Sequence, residues 1–239
     1  MISPETRAEL ERRFYPQLDE VVFQRFARQL AARLPEGAVV LDAGSGPGTW
    51  VLEALHEQIG LLVGVDVYVP DAMTLDALVL GSVERLPFAD GSFDLVLAYL
   101  MIEHLAEPAT AWGEIARVLK PGGAFCFKTP AVATPLFALS HLLPTSWHQR
   151  LKARIGTPER EVFPTYYRAN ALNSLDDDLH AAGFHRDWLT TVDQTYAYLP
   201  HTRATYALGL LYSRLTEQPF LRGLRNQILG VYRVGEGTP

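Results

Sequence analysis

The sequence contains a single cysteine, Cys126, among 239 residues. One cysteine cannot form an internal disulfide or a cysteine-based zinc site, which is typical of proteins from a reducing compartment. No window approaches the roughly 18 consecutive apolar residues of a membrane-spanning helix. The first residues also lack the basic stretch and apolar run of a secretory signal. From these absences we expect a cytoplasmic protein without stable membrane insertion.

Positive charge is also scarce. The chain has 21 lysines and arginines against 27 acidic residues, a net charge of −6. This balance provides no field that would attract nucleic acid, so we do not expect nucleic acid as a partner. Hydrophobic residues make up 48% of the chain and charged residues 20%. That is an ordinary globular composition, and it excludes a disordered, collagen-like or coiled-coil chain.

Short apolar runs alternate with helical patterns along much of the chain. A run at residues 38–41 ends in a glycine cluster, and a helical pattern through Val51, Leu52, Leu55 and Ile59 leads to a second run at 61–65. Continuous apolar runs are typical of parallel strands that are buried on both faces. The remaining candidate strands lie at 78–80, 93–98, 124–128, 186–192 and 227–234. The sequence therefore predicts a three-layer α/β fold with a mostly parallel sheet.

We interpret residues 1–239 as a single domain with two insertions. Residues 1–35 have helical spacing, residues 38–129 form the alternating core, and Pro16 divides the helical part. The segments 130–168 and 195–224 interrupt the alternation and are rich in aromatic residues, proline and histidine. Ligands of open α/β sheets bind at the carboxyl ends of the strands, so we expect these segments to form a lid or an acceptor site there.

The most informative stretch is the glycine-rich turn after the first run, Val39-Val-Leu-Asp-Ala-Gly-Ser-Gly-Pro-Gly-Thr49. Glycines allow the backbone to approach a ligand closely, and the start of the next helix offers free N–H groups to a carboxylate or a phosphate. A dinucleotide fingerprint would need a third glycine where Thr49 stands, and no Gly-Lys-Ser/Thr of a phosphate-binding loop follows. The turn thus disfavours an NAD-dependent oxidoreductase and excludes a phosphate-binding loop.

Five motifs, in this order and spacing, resemble those of the class I S-adenosylmethionine-dependent methyltransferases over roughly residues 38–129. The closest likeness is to the small-molecule enzymes of type 11 that are related to quinone biosynthesis. The resemblance implies a Rossmann-like sandwich with seven strands, the last of them antiparallel. The motifs are Asp42-Ala-Gly-Ser-Gly-Pro-Gly48, Gly64-Val-Asp66, Gly81-Ser-Val-Glu-Arg-Leu-Pro-Phe88, Phe93-Asp-Leu-Val-Leu-Ala-Tyr-Leu-Met-Ile-Glu-His-Leu105 and Arg117-Val-Leu-Lys-Pro-Gly-Gly123.

The resemblance also implies a site for S-adenosylmethionine and its product S-adenosylhomocysteine. In this interpretation Asp42 helps to fix the amino group of the cofactor, directly or through water, with a capping or turn role as the alternative. Asp66 binds the ribose hydroxyls, and Val67 packs against adenine. Ser82 stands where the family usually has an aspartate, which weakens the side-chain contact to adenine. The residues expected to bind the cofactor are Asp42, Gly44, Ser45, Gly46, Gly48, Asp66, Val67, Ser82, Val83, Glu84, Tyr99 and Leu100.

Methyl transfer from a sulfonium is an in-line displacement that requires alignment and exclusion of water, with no metal. A protonated acceptor also needs a base, for which His104, His141 and His148 are candidates. A structural, hydrogen-bonded role is an equal alternative for His104. The aromatic residues of the first insertion either line an acceptor site or form a satellite core. They include Trp147, Phe163, Tyr166 and Tyr167.

We expect a small-molecule or lipid-linked acceptor. The cluster Arg150, Lys152, Arg154, Arg160 and Arg168 favours an anionic one, although a solvated face is the simpler interpretation. A non-catalytic cofactor-binding protein of the same fold is the main alternative. A nucleic-acid methyltransferase is less favoured, because Ala98-Tyr-Leu-Met101 replaces the Asn/Asp-Pro-Pro-Tyr/Phe motif after the fourth strand.

Overall fold

A computed structural model describes residues 2–132, 134, 163–199 and 202–235, and every structural statement below refers to these residues. They contain a seven-stranded sheet with the order β3-β2-β1-β4-β5-β7-β6. Strand β7 is antiparallel to both of its neighbours, and the other described pairs are parallel. The strands are β1 Ala38–Ala43, β2 Ile59–Asp66, β3 Ala77–Leu80, β4 Phe93–Tyr99, β5 Leu119–Pro130, β6 Phe184–Val192 and β7 Gln227–Val234. The predicted fold class is confirmed, including the antiparallel last strand.

Helices cover the sheet on both faces and extend beyond its edge. Helix α1 ends at Phe14, just before Pro16, as the sequence predicts. The described helices are α1 Pro4–Phe14, α2 Arg25–Ala31, α3 Trp50–Glu53, α4 Pro108–Val118, α5 Leu172–Ala181, α6 Thr195–Tyr198 and α7 Arg203–Leu215. A π-helical turn at Glu20–Gln24 leads into α2, and 3-10 turns lie at His56–Gln58, Ile102–His104 and Pro219–Leu224.

Two hydrophobic cores lie on opposite faces of the sheet, because successive strand residues point to opposite sides. On one face, strand residues such as Val96 and Phe125 pack with Trp112 of α4 and Leu179 of α5. On the other face, strand residues pack with side chains of α2 and α3. Cys126 of β5 belongs to this second core, and burial raises the pKa of its thiol to about 12. It is a small hydrophobic residue here, as its place inside an apolar strand predicts.

Two element boundaries differ from the sequence prediction. The helical pattern that runs to Ile59 is realised only as the four-residue helix α3 and a 3-10 turn, and Ile59 opens β2 opposite Ala38. Pairing in the buried ladder outweighs the helical spacing at this position. Strand β5 begins at Leu119, before the predicted 124, because Leu119 already pairs with Phe93 and the register shifts before Ala124 pairs with Leu95.

The sheet topology brings several segments to one edge. Strands β1 to β4 end there, and Gln227 at the start of β7 pairs with Pro130 and Val192 at the ends of β5 and β6. The segment 195–224 therefore leaves from and returns to the carboxyl edge of the parallel strands. Within the described ranges, no helix is long and apolar enough to span a membrane. Nor do those ranges bring together three potential metal ligands of the His, Cys, Asp or Glu type.

Candidate functional site

A cavity of about 640 Å³ lies at the carboxyl edge of the sheet. Its volume is typical of a pocket for a small molecule or cofactor. The loops that follow β1, β2, β3 and β4 form most of its wall. Phe163, Pro164 and Tyr166, at the end of the first inserted segment, complete it.

The glycine-rich turn after β1 forms one side of the cavity, and three of its glycines have a positive φ. Gly44 has φ +73°, and a Cβ atom on it would lie 2.4 Å from Cγ of Met101. Gly48 has φ +118°, and its Cβ would lie 2.2 Å from Oγ1 of Thr74. Gly46 has φ +50° and open space around most of a Cβ position, with only the Tyr68 hydroxyl at 3.4 Å. The turn therefore presents bare backbone to the cavity.

Asp66 ends β2 and is 8% exposed. Its Oδ2 accepts the N–H of Gly46 at 2.8 Å, and its Oδ1 accepts the N–H of Val67 at 2.7 Å and of Tyr68 at 3.3 Å. These bonds join the glycine turn to the loop after β2 and fix the orientation of the carboxylate. A carboxylate has about four acceptor positions, so three backbone donors leave room for a hydroxyl of a ligand.

Asp42 lies underneath the turn and does not line the cavity. It is fully buried, and its Oδ2 accepts the N–H of Thr49 at 3.0 Å. Its Oδ1 has no hydrogen-bond partner. Burial, with a smaller contribution from the nearby Asp66 carboxylate, raises the pKa of this carboxyl to about 7, although hydrogen bonds from Thr49 lower it. The geometry shows a residue that ties the end of β1 to the start of α3.

The raised pKa of Asp42 has a measurable consequence. An acid whose pKa is higher in the folded than in the unfolded chain contributes its full stability below the unfolded value of about 3.9, and loses it as the pH rises towards the folded value. Asp42→Asn keeps an acceptor for Thr49. We expect the free energy of unfolding of this variant, relative to that of the wild type, to increase by at least about 1 kcal/mol as the pH rises from 4.5 to 7.5. Urea unfolding at several pH values measures this difference.

The matched control is Asp177→Asn, because Asp177 is exposed on α5. A constant offset between Asp42→Asn and the wild type across the pH range would contradict the assigned cause, since the buried carboxyl would then not change its protonation on unfolding.

Tyr99 and Leu100 form the wall of the cavity at the end of β4. The Tyr99 hydroxyl accepts hydrogen bonds from Nε1 of Trp50 at 3.1 Å and from Nζ of Lys128 at 3.0 Å. Lys128 is 5% exposed, and its Nζ lies 4.8 Å from the centre of the Tyr99 ring. Leu100 has φ +57°, a strained conformation for a non-glycine residue, and such strain clusters at functional sites.

His104 faces the cavity from the 3-10 turn after β4. Its Nδ1 lies 2.8 Å from the carbonyl oxygen of Pro164. A carbonyl can only accept, so Nδ1 carries the proton of this bond and Nε2 of the neutral ring keeps a lone pair. Phe163 packs edge-to-face with His104 and also contacts Tyr68, with ring centres 6.2 and 5.5 Å apart. The end of the inserted segment thus bridges the loops after β2 and β4.

Several known proteins are similar to part of this chain. Residues 41–127 match a family described as "Methyltransferase domain". A malonyl-(acyl-carrier protein) O-methyltransferase from Erwinia billingiae is 35% identical over 99 residues, which is 39% of each chain. A dimethylglycine N-methyltransferase from Parasynechococcus marenigrum is 33% identical over 120 residues, 44% of this chain and 41% of the relative. Over this part of its length the chain is similar to methyltransferases.

The architecture of this chain also occurs in solved structures. The S-adenosylmethionine-dependent methyltransferase from Mesorhizobium loti superposes with a TM-score of 0.56 over 87% of this chain and 95% of that one, at 18% identity. At this identity the likeness shows the fold alone. The chain spans less than half the length of the curated relatives it matches. A "Probable S-adenosylmethionine-dependent methyltransferase" from Mycolicibacterium smegmatis is 32% identical over 126 residues, 50% of this chain and 47% of the relative.

The structure brings together the predicted cofactor residues with one exception, Asp42. The predicted cofactor residues that line the cavity are Gly44, Ser45, Gly46, Gly48, Asp66, Val67, Ser82, Val83, Glu84, Tyr99 and Leu100. Two of them also have structural contacts: Oγ of Ser82 accepts the N–H of Glu84 at 3.2 Å, and the Glu84 carboxylate accepts the N–H of Glu107 at 2.7 Å. Their roles towards the cofactor stay predictions.

Of the predicted histidines, His104 lies at the cavity, whereas His141 and His148 fall outside the described residues, as does Trp147. Of the basic cluster only Arg168 is described, and it donates to Glu107 at 3.2 Å. Sequence reasoning missed Trp50, Tyr68 and Met101, which also line the cavity. Each of these three residues lies within two sequence positions of a predicted site residue, so its place beside a motif could have indicated it.

Proposed function

We propose that this protein transfers the methyl group of S-adenosylmethionine to a small-molecule or lipid-linked acceptor. One observation carries the proposal: the glycine turn, Asp66 and Tyr99 all line the same cavity. These groups come from β1, β2 and β4, three neighbouring strands of the sheet. One ligand that spans the carboxyl edge can therefore contact all three.

The cavity residues fit the cofactor by their chemistry. The glycine positions of the Gly44–Gly48 turn carry no side chain, and a Cβ atom on Gly44 or Gly48 would collide with a neighbouring side chain. A polar ligand can therefore approach the backbone of the turn closely. Asp66 is held by three backbone donors and is oriented to accept from hydroxyl groups. The half-exposed apolar surface of Val67 and the buried Val83 suit a flat ring. We infer that Asp66 holds the ribose and that Val67 and Val83 contact the adenine.

When bound, S-adenosylmethionine supplies a methyl group on a positively charged sulfur. The protein's own tasks are alignment and exclusion of water. Phe163 and Tyr68 both line the cavity, with ring centres 5.5 Å apart. Tyr99 is held between Trp50 and Lys128, which fixes the wall at β4. These contacts confine the space beside the cofactor.

We assign His104 the removal of a proton from the acceptor. Its Nδ1–H is committed to the Pro164 carbonyl, so Nε2 is the atom that accepts. The same bond sets the direction of the ring. An acceptor that is already ionised would need no proton removal, and His104 would then only shape the cavity. The relatives named above act on an oxygen and on a nitrogen acceptor, so both classes belong in an acceptor screen.

Calorimetric titration of the purified protein with S-adenosylhomocysteine, with NAD in a parallel cell, tests the cofactor assignment. We expect micromolar binding of S-adenosylhomocysteine and no heat from NAD. Binding of NAD alone would overturn the assignment and indicate an oxidoreductase. If S-adenosylhomocysteine binds but a screen of oxygen, nitrogen and carbon acceptors shows no methyl transfer, the protein is a non-catalytic relative of the same fold.

A further inference from the structure

Helix α7 is apolar on two opposite faces. Tyr206 and Leu210 on one face are buried, and α7 packs there against α1 and α6. On the opposite face Leu208, Leu211 and Leu215 are 62%, 44% and 59% exposed. Spacings of three and four residues place these leucines in one stripe along the helix. A helix that is apolar all round is typical of a helix covered on both sides.

A further exposed apolar side chain lies in the turn that follows α7. The Tyr212 hydroxyl donates to the carbonyl oxygen of Leu224 at 3.2 Å, so the turn Pro219–Leu224 lies beside α7. Phe220 in this turn is 81% exposed, more than any other large hydrophobic residue in the described part of the chain. We call Leu208, Leu211, Leu215 and Phe220 the docking face.

Arginines outnumber acidic residues in the segment that carries the docking face. Residues 202–225 contain four arginines and one acidic residue, Glu217, in a chain whose net charge is −6. Arg203, Arg214 and Arg222 are exposed, and Arg203 forms an ion pair with Glu9 of α1 at 3.2 Å. Arg214 also donates to the carbonyl oxygen of Phe14, whose ring lies 5.2 Å from the Arg13 guanidinium. The segment therefore has an excess of positive charge beside its apolar stripe.

We propose that the docking face binds reversibly to the surface of an anionic lipid membrane. Leucine and phenylalanine side chains enter the boundary between headgroups and acyl chains, and arginines of the same segment contact lipid phosphates. A second copy of this chain fits less well. In a two-fold dimer the same face meets itself, which would bring the arginines of both copies together.

The sheet topology relates the docking face to the cavity. The segment 195–224 begins and ends at the carboxyl edge of the sheet, the edge that holds the cavity. A membrane bound to the docking face would lie near that edge, where a lipid-linked acceptor could reach it. The docking itself does not depend on methyl transfer, and its test reads binding to vesicles alone.

Flotation with vesicles tests the proposal. The probes are vesicles of phosphatidylcholine alone and of phosphatidylcholine with about 30 mol% phosphatidylglycerol. We expect the wild type to float with the anionic vesicles and to be released as the salt concentration rises. The triple variant Leu208→Ser/Leu211→Ser/Leu215→Ser should lose at least about tenfold in affinity, because its apolar contact with the lipid is removed.

A single substitution has a closely matched control. Leu80→Ser is the control for Leu215→Ser, because Leu80 is 60% exposed and Leu215 is 59% exposed. Leu80 ends β3, at the opposite end of the sheet from β6. We expect Leu215→Ser to weaken vesicle binding and Leu80→Ser to leave it unchanged. Phe220→Ser, in the 3-10 turn and outside the α-helices and strands, repeats the test if a variant of α7 does not fold.

Three results would overturn the proposal. The wild type could remain unbound by both kinds of vesicle. The variants could bind as well as the wild type, which would assign membrane contact to another part of the chain. Sedimentation velocity could show a wild-type dimer that Leu215→Ser converts to a monomer without any vesicle binding, which would make this face a self-association surface. Titration with S-adenosylhomocysteine on the same variants shows whether the cofactor site is intact, so failure of the two proposals can be told apart.

Discussion

Replacement of Gly46 by valine is expected to lower the affinity for S-adenosylhomocysteine by about 100-fold or more. Gly46 has φ +50°, and its N–H donates to Asp66 at 2.8 Å. A branched side chain is strongly disfavoured at positive φ, so the turn must shift and the bond to Asp66 is strained. The added methyl groups also occupy the cavity beside the Tyr68 hydroxyl, where backbone was exposed before. Calorimetric titration measures the loss.

Gly91→Val is the matched control for this substitution. Gly91 has φ +63°, and a Cβ on it would meet no atom within 4 Å. It does not line the cavity. We expect both variants to lose a similar free energy of unfolding, on the order of 1–3 kcal/mol, whereas only Gly46→Val loses cofactor affinity. Equal affinities for the two variants would remove the glycine turn from the cofactor site.

The second large effect is expected at Asp66. Asp66→Asn retains the shape of the side chain and one acceptor oxygen, but it removes the charge and one of the oxygens that position the loops after β1 and β2. We expect the affinity for S-adenosylhomocysteine to fall by about 1–3 kcal/mol, which is about five- to 150-fold. The loss combines a weaker contact to the ribose with a less ordered Gly46–Tyr68 region.

Asp76→Asn tests whether this loss is specific. The Asp76 carboxylate also accepts a backbone N–H of β2, from Leu62 at 2.7 Å, but it lies outside the cavity. Both substitutions remove one negative charge and one acceptor oxygen for backbone N–H groups. Unchanged affinity in Asp76→Asn, together with a loss in Asp66→Asn, is the expected pattern. An Asp66→Asn variant that binds as tightly as the wild type would show that the ribose is held elsewhere.

The order of elements along the core could be predicted from the sequence, because buried parallel strands are continuous apolar runs with glycine or acidic residues at their ends. The same ends meet at one edge of the sheet, so Gly44, Asp66 and Tyr99 could be assigned to one site without a structure. Contacts between distant segments could not. The bond from His104 to Pro164 joins residues 60 positions apart, and no local pattern encodes it.

Asp42 illustrates a different limit. Its place in the motif predicts a contact with the cofactor, yet an acidic residue at the end of a strand can equally face inwards and hold the next turn. Which of the two occurs depends on the path of the backbone through Gly44 and Gly48. The short α3 has the same origin, since the pairing of Ile59 with Ala38 ends the helix early. Such outcomes depend on tertiary geometry, which periodicity alone does not contain.

Both ends of the first inserted segment are fixed to the sheet edge. The N–H of Ala131 donates to the carbonyl oxygen of Asn226 at 2.9 Å, and the N–H groups of Tyr166 and Tyr167 donate to the carbonyl oxygen of Glu103 at 2.8 and 3.1 Å. We propose that the segment between these two attachments carries the acceptor side. Lengthening a connection whose ends are already held together costs only about 0.6 kcal/mol for each doubling of its length. On this proposal, insertions and deletions between the attachments would alter acceptor binding and leave the cofactor residues in place, so related proteins could differ in acceptor through the length of this one segment.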